Sequence, residues 1–329
     1  MRSSRRIYTV AAFVFALVLV GCGGGTSTPS TPSTPSTPIV AGLLLPPSGS
    51  IYFGAFVNTS GLQHGSSSIS VGALETQLGR KLAIDGGYLT FTSKFGTRNE
   101  QDDFFNGRIP IYSWNCGPSN AQIASGAYDD SIRLQADSVK TYAWPVFVRY
   151  MWDPDLPSSQ LGRSGCYDKA TDDPDGTFSP TQYVAAWQHI HAIFVQEGAV
   201  NAVFVWSISS AGKNSTAYYP GDASVDWVGM DAFDSAGTPF AATFAPTYGL
   251  ISSYGKPMMI CATGATATEQ SAFFSGAPAT LETEFPLVKA FVYYDAIGSQ
   301  FDWRITPAAT PAFVSFAQSS YLSARYAAP

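Results

Sequence analysis

Short apolar runs of strand length recur along the chain at 52–57, 82–84 (extending toward 91), 109–114, 145–150, 202–207, 225–230, 257–262 and 288–294. Segments whose apolar residues return every three to four positions lie between several of them, most clearly at 71–81, 131–142, 181–196 and 310–322. The first pattern predicts strands buried on both faces, and the second predicts helices with one face on a core. Ser179 followed by Pro180 predicts a helix start, with the serine as cap and the proline in the first turn. Eight strands with helical segments between them fit a (β/α)8 barrel better than a doubly wound sheet. No Gly-rich phosphate loop follows any strand, and Gly86-Gly87 reads as a tight turn after the second one.

The first 38 residues break this pattern. Arg2, Arg5 and Arg6 precede an apolar run at 7–20 that ends Leu19-Val20-Gly21-Cys22. That is the anatomy of an export signal, and the run is short for a membrane span. Its last four residues resemble a bacterial lipobox, in which the cysteine takes a lipid and becomes the new N-terminus. Glycines and repeated Ser-Thr-Pro follow up to residue 38, a composition that forms a tether and no core. The expected organisation is therefore a signal at 1–21, a lipidated Cys22 with linker at 22–38, and one barrel at 39–329. The expected location is an exported, membrane-anchored lipoprotein, and the barrel is expected to be monomeric.

The composition bounds the ligand. Of 329 residues, 45% are hydrophobic, enough for a large core, and the formal net charge is −6. Three of the 18 basic residues fall within the first six, so the remainder is more acidic still and has no basic run, which argues against nucleic acid. Seven Trp, 17 Tyr and 22 Phe in a chain with only 13% charged residues suit a neutral ligand, with sugars the obvious class.

With Cys22 assigned to lipid, Cys116, Cys166 and Cys261 remain. Cys116 and Cys166 sit in Gly-flanked loop sequence and are the preferred disulfide pair, while Cys261 lies in an apolar run and reads as a buried thiol. No metal or cofactor is expected. His189 and His191, two apart on a helix, point in different directions, and Asp168 with the Asp172–Asp175 stretch lacks an EF-hand's spacing and reads as a solvated loop.

In a (β/α)8 barrel the chemistry sits at the C-terminal strand ends. Here those ends supply Trp114, the stretch from Arg149 to Asp153, Trp206, the stretch from Asp231 to Asp234, the stretch from Cys261 to Thr263, and the stretch from Tyr293 to Asp295. Aromatic rings and carboxylates at one mouth would suit a sugar, which stacks its C–H faces and hydrogen-bonds through its hydroxyls.

Several stretches, in order and spacing, resemble glycoside hydrolase family 26, the β-mannanase-type family of retaining (β/α)8 enzymes. They are Ile123-Ala-Ser-Gly-Ala-Tyr-Asp-Asp130, Tyr183-Val-Ala-Ala-Trp187-Gln-His189-Ile-His191, Val205-Trp206-Ser207, Tyr218-Tyr219-Pro220-Gly221-Asp222 with Val225-Asp226-Trp227-Val228-Gly229-Met230-Asp231, Lys256-Pro257-Met258-Met259-Ile260, and Asp302-Trp303-Arg304. The resemblance spans nearly the whole chain after the linker and implies a β-linked polysaccharide, such as a mannan, as ligand.

At the catalytic positions this chain departs from the family. Retaining glycosidases use two carboxyl groups, an acid/base and a nucleophile. The family's acid/base glutamate falls on Asp153 and the histidine before it on Trp152. Its nucleophile falls on Ala262, a methyl group. The tyrosine that supports the nucleophile falls on Phe233, and the paired aromatics of the last strand fall on Tyr293 and Tyr294. Strand alternation turns Cys261 to the opposite face from Ala262, so the thiol is no substitute. Two readings follow. One is a tethered, catalytically impaired barrel that binds polysaccharide on Trp114, Trp152, Trp206, Tyr293 and Tyr294, with Asp231 and Phe233 beside them. The other is a rearranged hydrolase with Asp153 as acid/base and Asp231, Asp234 or Glu269 as second carboxylate.

Overall fold

The structure, a computed structural model, describes residues 44–58, 68–96, 98–160 and 162–326. The export segment, Cys22 and the Ser/Thr/Pro tract lie outside the described residues. In chain order the elements are β1 (Tyr52–Asn58), α1 (Ser68–Leu78), β2 (Ile84–Leu89), α2 (Arg98–Asn106), β3 (Ile109–Trp114), α3 (Asn120–Ala124), α4 (Asp129–Tyr142), β4 (Val146–Tyr150), α5 (Pro180–Glu197), β5 (Ala202–Ser209), β6 (Trp227–Asp234), α6 (Phe240–Ile251), β7 (Met258–Ala265), α7 (Gln270–Ser275), α8 (Ala277–Thr283), β8 (Val288–Ala296) and α9 (Thr310–Ala317). All eight strands are parallel and close into a barrel in sequential order, β1 pairing with both β2 and β8. This is the (β/α)8 fold.

Alternation along each strand builds two cores. One set of residues, including Ile84, Ile111, Phe147, Val205, Trp227, Met259 and Val292, fills the barrel interior. The alternate set, including Phe53, Val148, Phe204, Ile260 and Phe291, packs outward beneath the helices. Gly86 lies within β2 and is not a turn after it: a Cβ there would sit 2.9 Å from Phe56 Cβ, so the glycine lets β1 and β2 close together.

Helix α5 starts as its sequence predicts, Ser179 Oγ accepting the Gln182 N–H at 3.4 Å with Pro180 in the first turn, and it stops at Gly198 in the left-handed region. The last helix is shorter than its pattern suggests, ending at Ala317 before a separate short turn at Ser320–Leu322. Periodicity overlooks α2, α3, α6, α7 and α8. The first is largely polar, α6 is apolar all round and contains Pro246, and the others span seven residues or fewer, so none writes a clear stripe.

A buried ion cluster fixes the outer layer. Arg108 on the α2–β3 connection bonds Glu75 of α1 through Nε (2.7 Å) and Nη2 (3.0 Å), and Asp103 of α2 through Nη1 (3.0 Å). His189 meets Asp129 of α4 at 2.6 Å, and His191 packs edge-on against Phe204. Both histidines hold α5 in place. Among the described residues no group of three or more His, Cys, Asp or Glu is arranged to hold a metal, and no helix is long and apolar enough to cross a membrane.

Candidate active site

The C-terminal mouth is organised around Arg149, the inward-facing residue at the end of β4. Its Nη1 donates to both carboxylate oxygens of Asp231 on β6, at 2.8 and 2.9 Å. Its Nη2 reaches the Tyr88 hydroxyl (3.1 Å) and its Nε the Ser113 hydroxyl (3.2 Å). Both members of the ion pair are buried. Burial is the largest single influence and works against the guanidinium's charge, but Asp231, Tyr88, Cys261 and Asp153 together hold the Arg149 pKa above its usual value. Burial also raises the pKa of Asp231, opposed by the bonds from Arg149.

Asp153 follows immediately. It is 5% exposed, and its pKa is raised well above the usual carboxylate range by burial and then by the neighbouring charges of Asp231 and Asp155. Its carboxyl is close enough to Asp231 to feel that charge, and its Oδ1 has no hydrogen-bond partner among the described residues. Two carboxyls this close titrate as a pair. Asp231 is the member paired with Arg149, so the proton that the pair retains resides on Asp153. The result is a buried carboxylic acid, able to donate a proton to an oxygen brought against it. Asp155, two residues on, faces away: it takes bonds from the Ser215 hydroxyl (2.6 Å) and the Ser209 N–H (3.1 Å). Gly212 makes room for it, since a Cβ there would lie 1.7 Å from its Oδ2.

Among the described residues no second carboxylate stands free beside Asp153. Asp231 is immobilised by Arg149. Asp234 caps its own turn, Oδ1 accepting from Ala236 N–H (3.0 Å) and Thr238 N–H (2.9 Å). Glu269 lies at the start of α7 against Gly237, in the loops beyond β6 and β7.

Strand β7 corrects one expectation. Met230 pairs with Ile260 but Asp231 pairs with Ala262, so Cys261 is an extra residue, a β-bulge. The bulge turns Cys261 into the barrel interior with Met259 and Trp227, and in-register pairing puts Ala262 on the same inner side as Asp231. The thiol therefore does not face the opposite side. It is buried below the mouth, and burial pushes its pKa far up, which leaves it a poor nucleophile.

The expected stacking residues divide by strand face. Trp114, Trp206 and Tyr293 are 0% exposed and belong to the outward core beneath the helices. Trp114 is stacked by Phe91 and donates to the Phe91 carbonyl (3.0 Å), Trp206 packs on Tyr219 and Tyr254, and Tyr293 donates to the Trp303 carbonyl (2.8 Å). Alternation aims these three away from the barrel axis, so none is a stacking surface. Trp152, Phe233 and Tyr294 do reach the mouth. With Tyr88, Trp303 and Phe301 they form a continuous arc: Trp152–Tyr88 4.8 Å, Tyr88–Tyr294 5.9 Å, Tyr294–Phe233 5.9 Å, Phe233–Trp303 4.9 Å and Trp303–Phe301 5.1 Å between ring centroids.

Phe233 and Phe301 are more than a third exposed. Sequence reading passed over Tyr88, which lies in the part of β2 beyond Ile84, where Gly86-Gly87 was read as a turn. It also passed over Arg163, whose one signal was its place three residues before Cys166.

Cys116 and Cys166 are joined by a disulfide, with 6.0 Å between their Cα atoms. The bridge fastens the long β4–α5 loop to the end of β3. The acidic stretch of that loop satisfies itself, Asp172 accepting from the Asp168 and Ser179 N–H groups at 2.7 and 2.9 Å. A groove of about 480 Å³ lies elsewhere, on the outer layer between α2 and α4, lined by Phe104, Phe105, Leu134 and Thr141 among others.

A buried carboxyl, an arginine-clamped carboxylate and an aromatic arc thus meet at the C-terminal mouth of the barrel, the end where enzymes of this fold place their sites. Residues 174–266, running from the loop before α5 through β7, match the model of glycosyl hydrolase family 26. The chain is 25% identical over 269 residues to Endoglucanase H of Acetivibrio thermocellus, an alignment that covers 77% of this chain and only 28% of that protein. In fold it is similar to the YdhT protein of Bacillus subtilis (TM-score 0.59, 15% identity, 83% of this chain and 86% of that one). It is also similar to the family 26 domain of an endo-β-mannanase/endo-β-glucanase from Prevotella bryantii (0.58, 14%, 84% and 91%) and to a modular endo-β-1,4-mannanase from Cellulomonas fimi (0.59, 16%, 83% and 71%).

Proposed function

We propose that the whole barrel is a family 26 domain that captures a neutral β-linked polysaccharide of the mannan type, with hydrolysis lost or severely reduced. The observation that carries this reading is Ala262. It stands in register beside Asp231, on the inner side of the barrel, where the family resemblance calls for a carboxylate. A methyl group neither attacks an anomeric carbon nor balances a developing oxocarbenium charge. Asp231 does not replace it, because Arg149 occupies both of its oxygens. The aromatic arc supports binding, since all of its rings but the buried Trp303 are at least partly exposed along one side of the mouth. Cys22 would carry a lipid and the Ser/Thr/Pro tract would tether the barrel to a bacterial membrane, at the cell surface or in the periplasm.

One observation favours a second reading, residual hydrolysis. Burial and the neighbouring carboxylates favour the protonated form of Asp153, the form a general acid needs, and a displacement of about 1 Å relative to a glutamate costs on the order of a hundredfold in rate without abolishing it.

The test is reducing-sugar release by the purified protein from β-mannans, xylans and mixed-linkage β-glucans, with binding to each polymer measured on the same samples. Binding to mannan without release is the expected result. Release that disappears in Asp153→Asn would overturn the impaired reading in favour of the second. Cys22→Ala, which should move the protein from the membrane fraction to the soluble one, tests the tether.

A further inference from the structure

The turn that bears Trp152 and Asp153 holds a conformation that its residues do not favour. Met151 (φ 43°) and Asp153 (φ 50°), on either side of Trp152, both lie in the left-handed region although neither is glycine. Such geometry persists only where the surroundings impose it, and it concentrates at functional sites. The Met151 N–H is fixed to the Trp114 carbonyl (2.8 Å) and the Asp153 N–H to the Ser207 carbonyl (3.2 Å). The indole between them is held by side chains: the Arg163 guanidinium lies nearest over its ring, Cζ 4.3 Å from the centroid, with Arg149 Cζ at 5.6 Å and Tyr88 edge-on at 4.8 Å.

Arg163 is an expensive residue to keep there. It is 1% exposed, and neither Nη1 nor Nη2 has a hydrogen-bond partner among the described residues. Its Nε donates to Asn115 Oδ1 (2.9 Å), its N–H to the Ser158 carbonyl (2.8 Å), and its own carbonyl accepts the Cys166 N–H (2.9 Å). Cys166 is bridged to Cys116, the neighbour of Asn115. The guanidinium is thus tied twice to the segment just beyond β3, once through its own Nε and once through the disulfide.

We propose that Arg163 is the positioning residue of the mouth: stacked on Trp152 and fastened to β3 through Asn115 and the Cys116–Cys166 bridge, it fixes the indole as a sugar-stacking face beside Asp153. The consequence for sugar binding rests on the glycan-capturing reading above, whereas the effect on the indole does not. The disulfide becomes part of the binding machinery, because reduction frees one of the two ties.

The experiment uses the purified full chain with Arg163→Met, Arg163→Lys, Trp152→Phe and the Arg163→Met/Trp152→Phe double variant. Without ligand, acrylamide quenching of tryptophan fluorescence should be stronger in Arg163→Met, because the face of Trp152 that the guanidinium covers becomes open to the quencher. That gain should be absent in the double variant, which no general loosening of the fold would produce. Arg163→Lys, which keeps the charge but loses the planar stack, should fall between wild type and Arg163→Met. With mannohexaose in a titration calorimeter, Arg163→Met should bind about tenfold more weakly. Treatment of the wild type with a reductant should shift both readouts the same way. Quenching in Arg163→Met and Arg163→Lys identical to wild type would overturn the proposal, as would an affinity within about twofold of wild type. Wild-type protein that binds neither mannohexaose nor mannan would overturn the glycan reading alone, and the quenching series would still decide the role of Arg163.

Discussion

Asp153 and Asp231 are chemically alike and sit in one buried pocket, yet they take different states because Arg149 binds only Asp231 through both oxygens. The clamp makes a firm prediction. Asp231→Leu leaves a buried guanidinium unpaired and should cost about 3–5 kcal/mol of stability in urea denaturation, whereas Arg149→Met combined with Asp231→Leu should recover most of that loss. Equal stability of the single and double variants would mean that the pair is not the strut it appears geometrically. At this scale the sequence is legible in identity and opaque in relation. Arg149, Asp153 and Ala262 fall where family-like stretches place them. That Arg149 spans the barrel to Asp231 depends on strands 82 residues apart becoming neighbours of neighbours. Cys261 shows the same limit, since a one-residue bulge inverts a face that strict alternation assigns.

The β4–α5 loop is the element on which the mouth depends, and it offers two further tests. Burial pushes Asp155 up to about 6, against the bonds from Ser215 and Ser209 that favour its charge. An unfolded aspartate titrates near 3.9. Below pH ~4 both states hold the proton, and above pH ~6 both have lost it. In between, the folded state holds a proton that the unfolded state releases, so this group's contribution to stability falls as pH rises from about 4 to about 6, by roughly 3 kcal/mol, and is level above. Asp155→Asn should remove that slope, seen as a wild-type-minus-variant difference in unfolding free energy across the window; a parallel pair of curves would refute it.

The disulfide closes a 50-residue span, and chain-entropy arithmetic assigns such a loop about 4 kcal/mol. Thermal unfolding of Cys116→Ser/Cys166→Ser should shift down accordingly, and an unchanged midpoint would place the constraint elsewhere. Strands were readable because each is a short run buried on both faces. The three misassigned aromatics follow from the same fact: composition marks a buried strand but does not say which residues face the axis, so Trp114, Trp206 and Tyr293 looked like Tyr294.

For the whole molecule, charge and shape point to the same class of ligand. The chain carries a net −6, while the ionic groups beside Asp153 are buried, Arg149 paired with Asp231 and Arg163 over Trp152, and Asp302 and Arg304, which flank Trp303 in contact with solvent, are paired with each other. The arc itself presents aromatic rings. A neutral polymer laid along that arc meets ring faces and releases few counterions, so its affinity should be nearly independent of ionic strength. The expected result is a dissociation constant for β-mannan that changes by less than about twofold between roughly 50 mM and 500 mM NaCl. Phe233→Ala should weaken binding, and Phe105→Ala should leave it unchanged, because Phe105 lines the α2–α4 groove on the outer layer. A steep loss of affinity with salt would instead mean that the bound sugar is anionic and reaches the buried arginines. In that case the Asp153–Asp231 pair would have to open on binding, and the outward-facing rings would no longer account for recognition. Salt independence with loss in Phe233→Ala alone would leave the arc, and the turn that presents Trp152 to it, as the surface on which the polysaccharide lies.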